Sequence, residues 1–248
     1  MIDPLPDEAL NDLVTANHIL FHQGVVDGFG HVSRRDPARP DRFWMARSMA
    51  PALVTSADIL PFDADSDVLR PEAPPVYLER FIHGEIYRRR PDVVGIVHSH
   101  SPAVIPFGIV RDVPLRPVCH MCGFVGAGAP VFEIRDHAGT ASDLLIRDRA
   151  LGAALAETLG NHAVVLMRGH GSTVVGGSLR QAVFRAVYTE LNATLQAQAL
   201  RLGPVTYLTA AEADNASRAN DGQIGRAWAL WALQAARSGL PAAGTSPA

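Results

Sequence analysis

The stretch VVGIVHSHSP (93–102) interrupts an apolar, β-branched run with two histidines one residue apart. Val93–Val97 reads as a buried strand. If the chain stays extended beyond it, His98 and His100 stand at i and i+2 and present both imidazoles on one face. Paired imidazoles can grip a divalent ion, although two polar residues opening a loop would give the same local pattern. A third histidine sits in a comparable setting. In AVVLMRGHGSTVV (163–175) a buried strand runs to Met167, turns through RGHGS and starts again. His170 is flanked by Gly169 and Gly171, whose freedom at positive φ allows a tight turn and close backbone approach. Three imidazoles leave a bound ion an open position for substrate, the arrangement of a catalytic rather than a structural site. Glu79 lies 19 residues before His98, in the first turn of the helical segment that feeds that strand. Taken alone, it is an acidic residue favoured by the helix dipole. His83, at i+4 from Glu79, shares its helix face; it could orient Glu79 or be a satisfied core histidine, and the second reading is preferred.

The elements that must position these groups follow from periodicity. A helix over 6–22 carries Leu10, Leu13, Val14, Ile19 and Leu20 at near-helical spacing and ends before Gly24. A glycine-bearing turn at 27–37 leads into a short strand, with 42–47 as its hairpin partner. LERFIHGEIYRRR (78–90) forms a helix with an apolar stripe of Leu78, Phe81, Ile82 and Ile86, stopped by Pro91. A strand at 130–136 and a helix at 147–160 follow. The segment around His170 reads as strand, tight loop, strand. A long helix then runs from Ser178 to Leu202, and a final one over 210–238 carries Trp228 and Trp231. The coil 101–129, with four prolines, is long enough to suggest a functional loop. Strands and helices mix without βαβ alternation and without a linker, which favours a single α+β or layered αβα domain.

Composition narrows the function classes. Of 248 residues, 48% are hydrophobic and 19% charged, with a formal net charge of −3. There is no basic block, which argues against nucleic acid. No apolar run approaches the ~20 residues of a membrane span, and the N-terminus lacks a signal-peptide pattern; a cytoplasmic enzyme is expected. Cys119 and Cys122 form a CxxC with no second ligand pair nearby, so both read as small apolar residues in a reducing compartment.

The segments GFGHVSRRDP, YLERFIHGEIYRRRPDVVGIVHSHSP and LMRGHGSTVVG resemble the class II aldolase/adducin family. The resemblance implies an α/β fold: a single αβα layered domain over 1–240 with a mostly antiparallel central sheet, a flexible tail at 241–248, and a homotetramer. It implies that His98, His100 and His170 hold one divalent metal ion per subunit, Zn2+ or Mn2+, and that Glu79 is the acid/base. Departures refine this. The family's sugar-phosphate aldolases carry hydroxyl residues directly before the glutamate, whereas here the residues are PPVYL. His31 replaces an asparagine in the N-terminal turn, and Met121 stands where those aldolases place a catalytic tyrosine. A phosphorylated substrate is therefore disfavoured.

The chain resembles instead the branch that decarboxylates hydroxylated aromatic or pyridine dicarboxylates. The implied reaction is metal-dependent loss of carbon dioxide from a small aromatic carboxylate, in aromatic or heteroaromatic catabolism. The alternatives are an aldolase acting on a non-phosphorylated hydroxy-carbonyl compound and a non-catalytic adducin-like module. His31, Arg47, Ser48 and Arg168 are the candidates for holding substrate, with Arg34 and Arg35 weaker. Arginine suits a second carboxylate through bidentate hydrogen bonds. Once a bound substrate dianion displaces it from the metal, Glu79, set among Val76, Tyr77, Leu78 and Phe81, is expected to have a raised pKa and to deliver a proton to the ring.

Overall fold

The computed structural model describes residues 4–240. The tail expected at 241–248 lies outside the described residues. Seven strands form one sheet: β1 (His31–Arg35), β2 (Phe43–Ala46), β3 (Ile59–Phe62), β4 (Gly95–Ser99), β5 (Val131–Phe132), β6 (Val164–Met167) and β7 (Gly171–Gly176), in the order β3-β2-β1-β4-β7-β6-β5. Every pairing is antiparallel except β5 with β6. This is the layered, mostly antiparallel α/β architecture expected.

The helices are α1 (Asp7–His22), α2 (Arg80–Arg89), α3 (Ile105–Ile109), α4 (Arg135–Ala138), α5 (Arg149–Leu159), α6 (Leu179–Leu202), α7 (Ala210–Asp221) and α8 (Ile224–Arg237). Strand alternation divides the core in two. Val32, Val97 and Val174 face Leu13 and Ile19 of α1, Ala182 and Val183 of α6, and Trp228 of α8. Met45, Ile96 and Val175 face Ile82 and Ile86 of α2 and Leu155 of α5. Local signals fix the helix starts. Asp148 accepts from the Leu151 N–H to open α5, and Ser178 accepts from the Gln181 N–H to open α6. Each satisfies an otherwise orphaned amide.

Several expectations shift. β4 runs to Ser99, so His98 lies inside the strand rather than after it. The strand expected over 130–136 shrinks to Val131–Phe132, because Ile134 already has helical backbone angles and opens α4. The final helix is two helices, α7 and α8, parted at Gly222 and Gln223. Trp228 and Trp231 are buried, Trp231 against Phe184 and Tyr188. β3 had no clear pattern because it contains Pro61; proline gives no ladder hydrogen bond and is tolerated here at the sheet edge. The coil 101–129 contains α3 and a 3₁₀ turn, His120–Val125, that holds both cysteines' sulfurs 2.8 Å apart under α6. Among the described residues no helix is long and apolar enough to cross a membrane.

Candidate metal centre and its cavity

The site forms on the α2/α5 face of the sheet, where β1, β4 and β7 lie side by side. Register places His31 directly opposite His98, and His98 opposite Thr173. His100 follows one residue past the end of β4, still close enough for its ring to lie 5.2 Å from that of His98. His170 arrives from the turn between β6 and β7. That turn needs its glycines: Gly169 has φ +67°, and a Cβ on Gly171 would sit 1.9 Å from the Ser99 carbonyl oxygen. Glu79 is the residue immediately preceding α2.

These four residues converge as the sequence pattern anticipates. One potential ligand atom from each of Glu79, His98, His100 and His170 lies within 4.8 Å of all the others. The Nε2 atoms of His100 and His170 are 2.9 Å apart. Glu79 Oε2 is 3.6 Å from His98 Nε2 and 3.5 Å from His170 Nε2. His170 Nδ1 faces the Leu144 carbonyl oxygen at 3.0 Å. A carbonyl only accepts, so Nδ1 carries the proton and a neutral His170 offers a bare Nε2 lone pair to the cluster. His98 Nε2 is buried and has no hydrogen-bond partner. An orphaned buried nitrogen is costly unless something fills its lone pair. The donor set therefore fits a divalent cation: three imidazoles and a carboxylate, with nitrogens turned inward.

Burial favours the neutral form of His98 and His100 that ligation requires. Desolvation holds His98 well below the usual histidine value, against the pull of Glu79, and lowers His100 as well. The raised pKa expected of Glu79 belongs to the substrate-bound site; without substrate its carboxyl behaves differently. Burial does push its carboxyl up. The N–H that Ile146 donates to Oε1 favours the ionised form, as does any proton that His170 or His98 carries beside it, and the carboxyl lies below the usual carboxylate range. The resting group is a carboxylate.

A cavity of about 310 Å³ opens onto the cluster. Its walls include His31, Ser48, Met49, Tyr77, Leu78, Leu145 and, at the lip, Phe29. His31 and Ser48 are thus in the cavity as expected. The arginines are not among its lining residues. Arg47 is tied to Asp58 at 2.7 Å, and Arg168 to Glu133 at 2.7 Å beside a separate pocket. Arg35 spends its guanidinium on the carbonyls of Pro40, Tyr87, Val93 and Arg90. Arg34 lies beside Asp12 and Arg180 in another depression.

Sequence reasoning missed the 144–146 segment, whose backbone fixes both His170 and Glu79. Leu144 has φ +70°, an unfavourable conformation for a leucine, and nothing in its residue type announces that role. Tyr77, whose hydroxyl donates to the Met49 carbonyl, was also missed as a cavity wall.

Comparison with known proteins agrees with this geometry. Residues 11–197 match the family model described as Class II Aldolase and Adducin N-terminal domain. The chain is 39% identical to Decarboxylase tropJ of Talaromyces stipitatus, over 92% of this chain and 94% of that protein. It is 30% identical to 3,4-dihydroxyphthalate decarboxylase of Arthrobacter keyseri, over 77% of this chain and 78% of that one. In fold it is similar to L-fuculose 1-phosphate aldolase from Glaciozyma antarctica, with a TM-score of 0.73 and 21% identity over 96% of this chain and 95% of that one.

Proposed function

The chain belongs to the class II aldolase and adducin family, and we propose that within it the protein is a divalent-metal-dependent decarboxylase of a hydroxylated aromatic or pyridine carboxylate. It is an enzyme, a lyase of the decarboxylase kind, as its relatives are. The observation that carries the finer reading is the cluster of Glu79, His98, His100 and His170, the first three of which line a cavity walled by aromatic and aliphatic side chains. Its volume falls in the ~300–1,000 Å³ range of small-molecule sites.

His98, His100 and His170 would hold the ion, with Glu79 within reach as a fourth ligand in the resting site. When bound, a divalent cation there supplies a Lewis acid that stabilises the electron-rich ring left as carbon dioxide departs. Glu79 is the proposed proton carrier. Because its resting carboxyl is ionised, the proton it delivers must come from the incoming substrate, and the hydroxyl ortho to the carboxylate is the acidic group at hand. Glu79 takes that proton and returns it to the ring carbon vacated by carbon dioxide, so the exchange balances within the site. His31 and Ser48 face the substrate. Arg47 and Arg168 would have to abandon Asp58 and Glu133 to reach it, and receive no part.

The reading includes a homotetramer, supported by the family and by the leucines that α8 leaves exposed, Leu230 and Leu233. Light scattering should give about four times the 26.5 kDa chain mass; a monomer would count against it. The reaction is tested by assaying purified protein for bound metal and for carbon dioxide release from a panel of ortho-hydroxy aromatic mono- and dicarboxylates. Release that stops on chelation and returns with Zn2+ or Mn2+ is expected. Cleavage of a hydroxy-carbonyl compound without decarboxylation would favour the aldolase reading instead.

A further inference from the structure

Behind the cavity runs a closed chain of polar side chains that the cluster itself does not use. His31 Nδ1 lies 2.7 Å from His83 Nε2, His83 Nδ1 lies 2.6 Å from Ser33 Oγ, and Ser33 Oγ lies 2.9 Å from the Tyr87 hydroxyl. All four residues are buried, His83 completely. His31 is the only one of them that lines the cavity, and its Nε2 has no hydrogen-bond partner among the described residues.

Two proton arrangements can satisfy such a chain, and they leave His31 with opposite character. If donation runs outward from His31, its Nε2 is a bare acceptor. If it runs inward from Tyr87, His31 presents an Nε2–H to the cavity. Distances separate the two. An N–H donating to a hydroxyl oxygen prefers about 2.9–3.0 Å, whereas hydroxyl donors sit closer, so 2.6 Å at Ser33–His83 fits the serine as donor better than the imidazole. At the far end, the Tyr87 hydroxyl can donate to Ser33 at 2.9 Å or to the Val94 carbonyl at 3.2 Å, and that carbonyl already accepts the Arg35 N–H at 2.8 Å. Donation to Ser33 is the better bond. The sequence is then Tyr87 to Ser33, Ser33 to His83 Nδ1, and His83 Nε2–H to His31 Nδ1.

We propose that His83 is a positioning residue that, with Ser33 and Tyr87, locks His31 in its Nε2–H tautomer so that it donates a hydrogen bond to an anionic oxygen of the substrate. This rests on the cavity being the substrate site. A neutral, pre-aimed donor stabilises developing oxyanion charge without a proton having to move. The serine and tyrosine need no other reason to stand on β1 and α2 facing inward, where apolar side chains would pack as well.

The test reads the tautomer directly and separately from catalysis. In protein carrying 15N-labelled histidine, with the His31 signals assigned by their loss in His31→Gln, His31 Nε2 should show a bonded proton and Nδ1 the shift of an unprotonated, hydrogen-bonded nitrogen. His83→Phe, which keeps a ring in the pocket beside Phe43, should lose the single tautomer, keep its metal, and lose roughly 10–100-fold in kcat with little change in KM. His83→Gln should restore much of both, since one amide can accept from Ser33 and donate to His31. Should His83→Phe fail to fold, Ser33→Ala should loosen the tautomer in the same direction. A proton on His31 Nδ1 in the unaltered protein, or native kcat in a folded His83→Phe, would overturn the proposal. A single Nε2–H form in a protein that releases no carbon dioxide would sink the decarboxylase reading and leave this one standing.

Discussion

His98 Nε2 is buried without a partner, and His100 and His170 turn their Nε2 atoms toward one another and Glu79, whereas His31 and, across from it on α2, His83 are joined ring to ring and closed off by Ser33 and Tyr87. The rings of His31 and His98 are only 4.9 Å apart, so burial and dielectric do not distinguish the groups. Partnership does. A fold that can satisfy one pair of buried imidazoles so completely could have satisfied the neighbouring three, and left them facing inward instead. Unsatisfied buried nitrogens cost stability, and they persist where a ligand restores the loss. The satisfied pair performs a different task, which is orientation.

If that contrast is sound, the largest effects lie on the unsatisfied side. His170→Ala should remove most of the bound metal by elemental analysis and take carbon dioxide release to background, while His83→Phe keeps its metal. Full metal content in His170→Ala would erase the distinction between the groups. Next comes Glu79, which touches the trio without being an imidazole. Glu79→Gln should keep the metal and lose ~10²–10⁴-fold in turnover, the usual value of a positioned proton transfer. Loss of metal in that variant would move Glu79 from proton carrier to ligand.

The same contrast has an acid-stability consequence. Burial holds His83 at about 3, and Glu79, despite its burial and with the Ile146 N–H donating to it, stands at about 2. Both folded-state values lie below the unfolded ones of 6.5 and 4.5, so the folded chain binds fewer protons than the unfolded chain. Stability from these groups is complete above about pH 6.5. It falls as pH drops, first through His83 and then, below about 4.5, through Glu79 as well. Denaturant midpoints of the metal-free protein should therefore decline between pH 7 and pH 5. His83→Phe should flatten that decline, and an unchanged slope would show that His83 is not held neutral.

Much of this was legible beforehand because it rests on local pattern. The HxH after a β-branched run and the glycine-flanked His170 each announce themselves within ten residues, and the helix that carries Glu79 is stopped by a visible Pro91. What was not legible is long-range. Of the two readings of His83, the satisfied core histidine fits its packing, but its partners Ser33 and His31 are some 50 residues away on β1. The arginines were misjudged for the same reason: Arg47 and Arg168 flank site loops in sequence, while Asp58 and Glu133, which claim them, are ordinary acidic residues in the string. The Ile146 N–H that helps hold the Glu79 carboxylate without substrate lies 67 residues away and was equally invisible.

The smallest effect concerns what the open side of the site receives. Phe29 stands between Gly28 and Gly30 in the turn before β1 and is 67% exposed, yet its ring lies 6.1 Å from that of His100 with only 24° between their planes. A large aromatic side chain held at a cavity lip, with one face toward a candidate ligand and the other toward solvent, is placed to cover a flat ring entering beside the histidines. Offset aromatic pairs are worth about 0.5–1.5 kcal/mol, which corresponds to roughly 2–10-fold in binding. The contact would be made in the bound substrate and persist through the reaction, so it contributes uniform binding. Phe29→Ala should therefore raise KM by roughly that factor and leave kcat and metal content unchanged. Phe29→Tyr should behave like the unaltered protein. Because the side chain is mostly exposed, its removal leaves no core cavity to confuse the result. An unchanged KM with an aromatic substrate would remove Phe29 from the site, and a fall in kcat alone would mean that it acts on His100 rather than on the substrate.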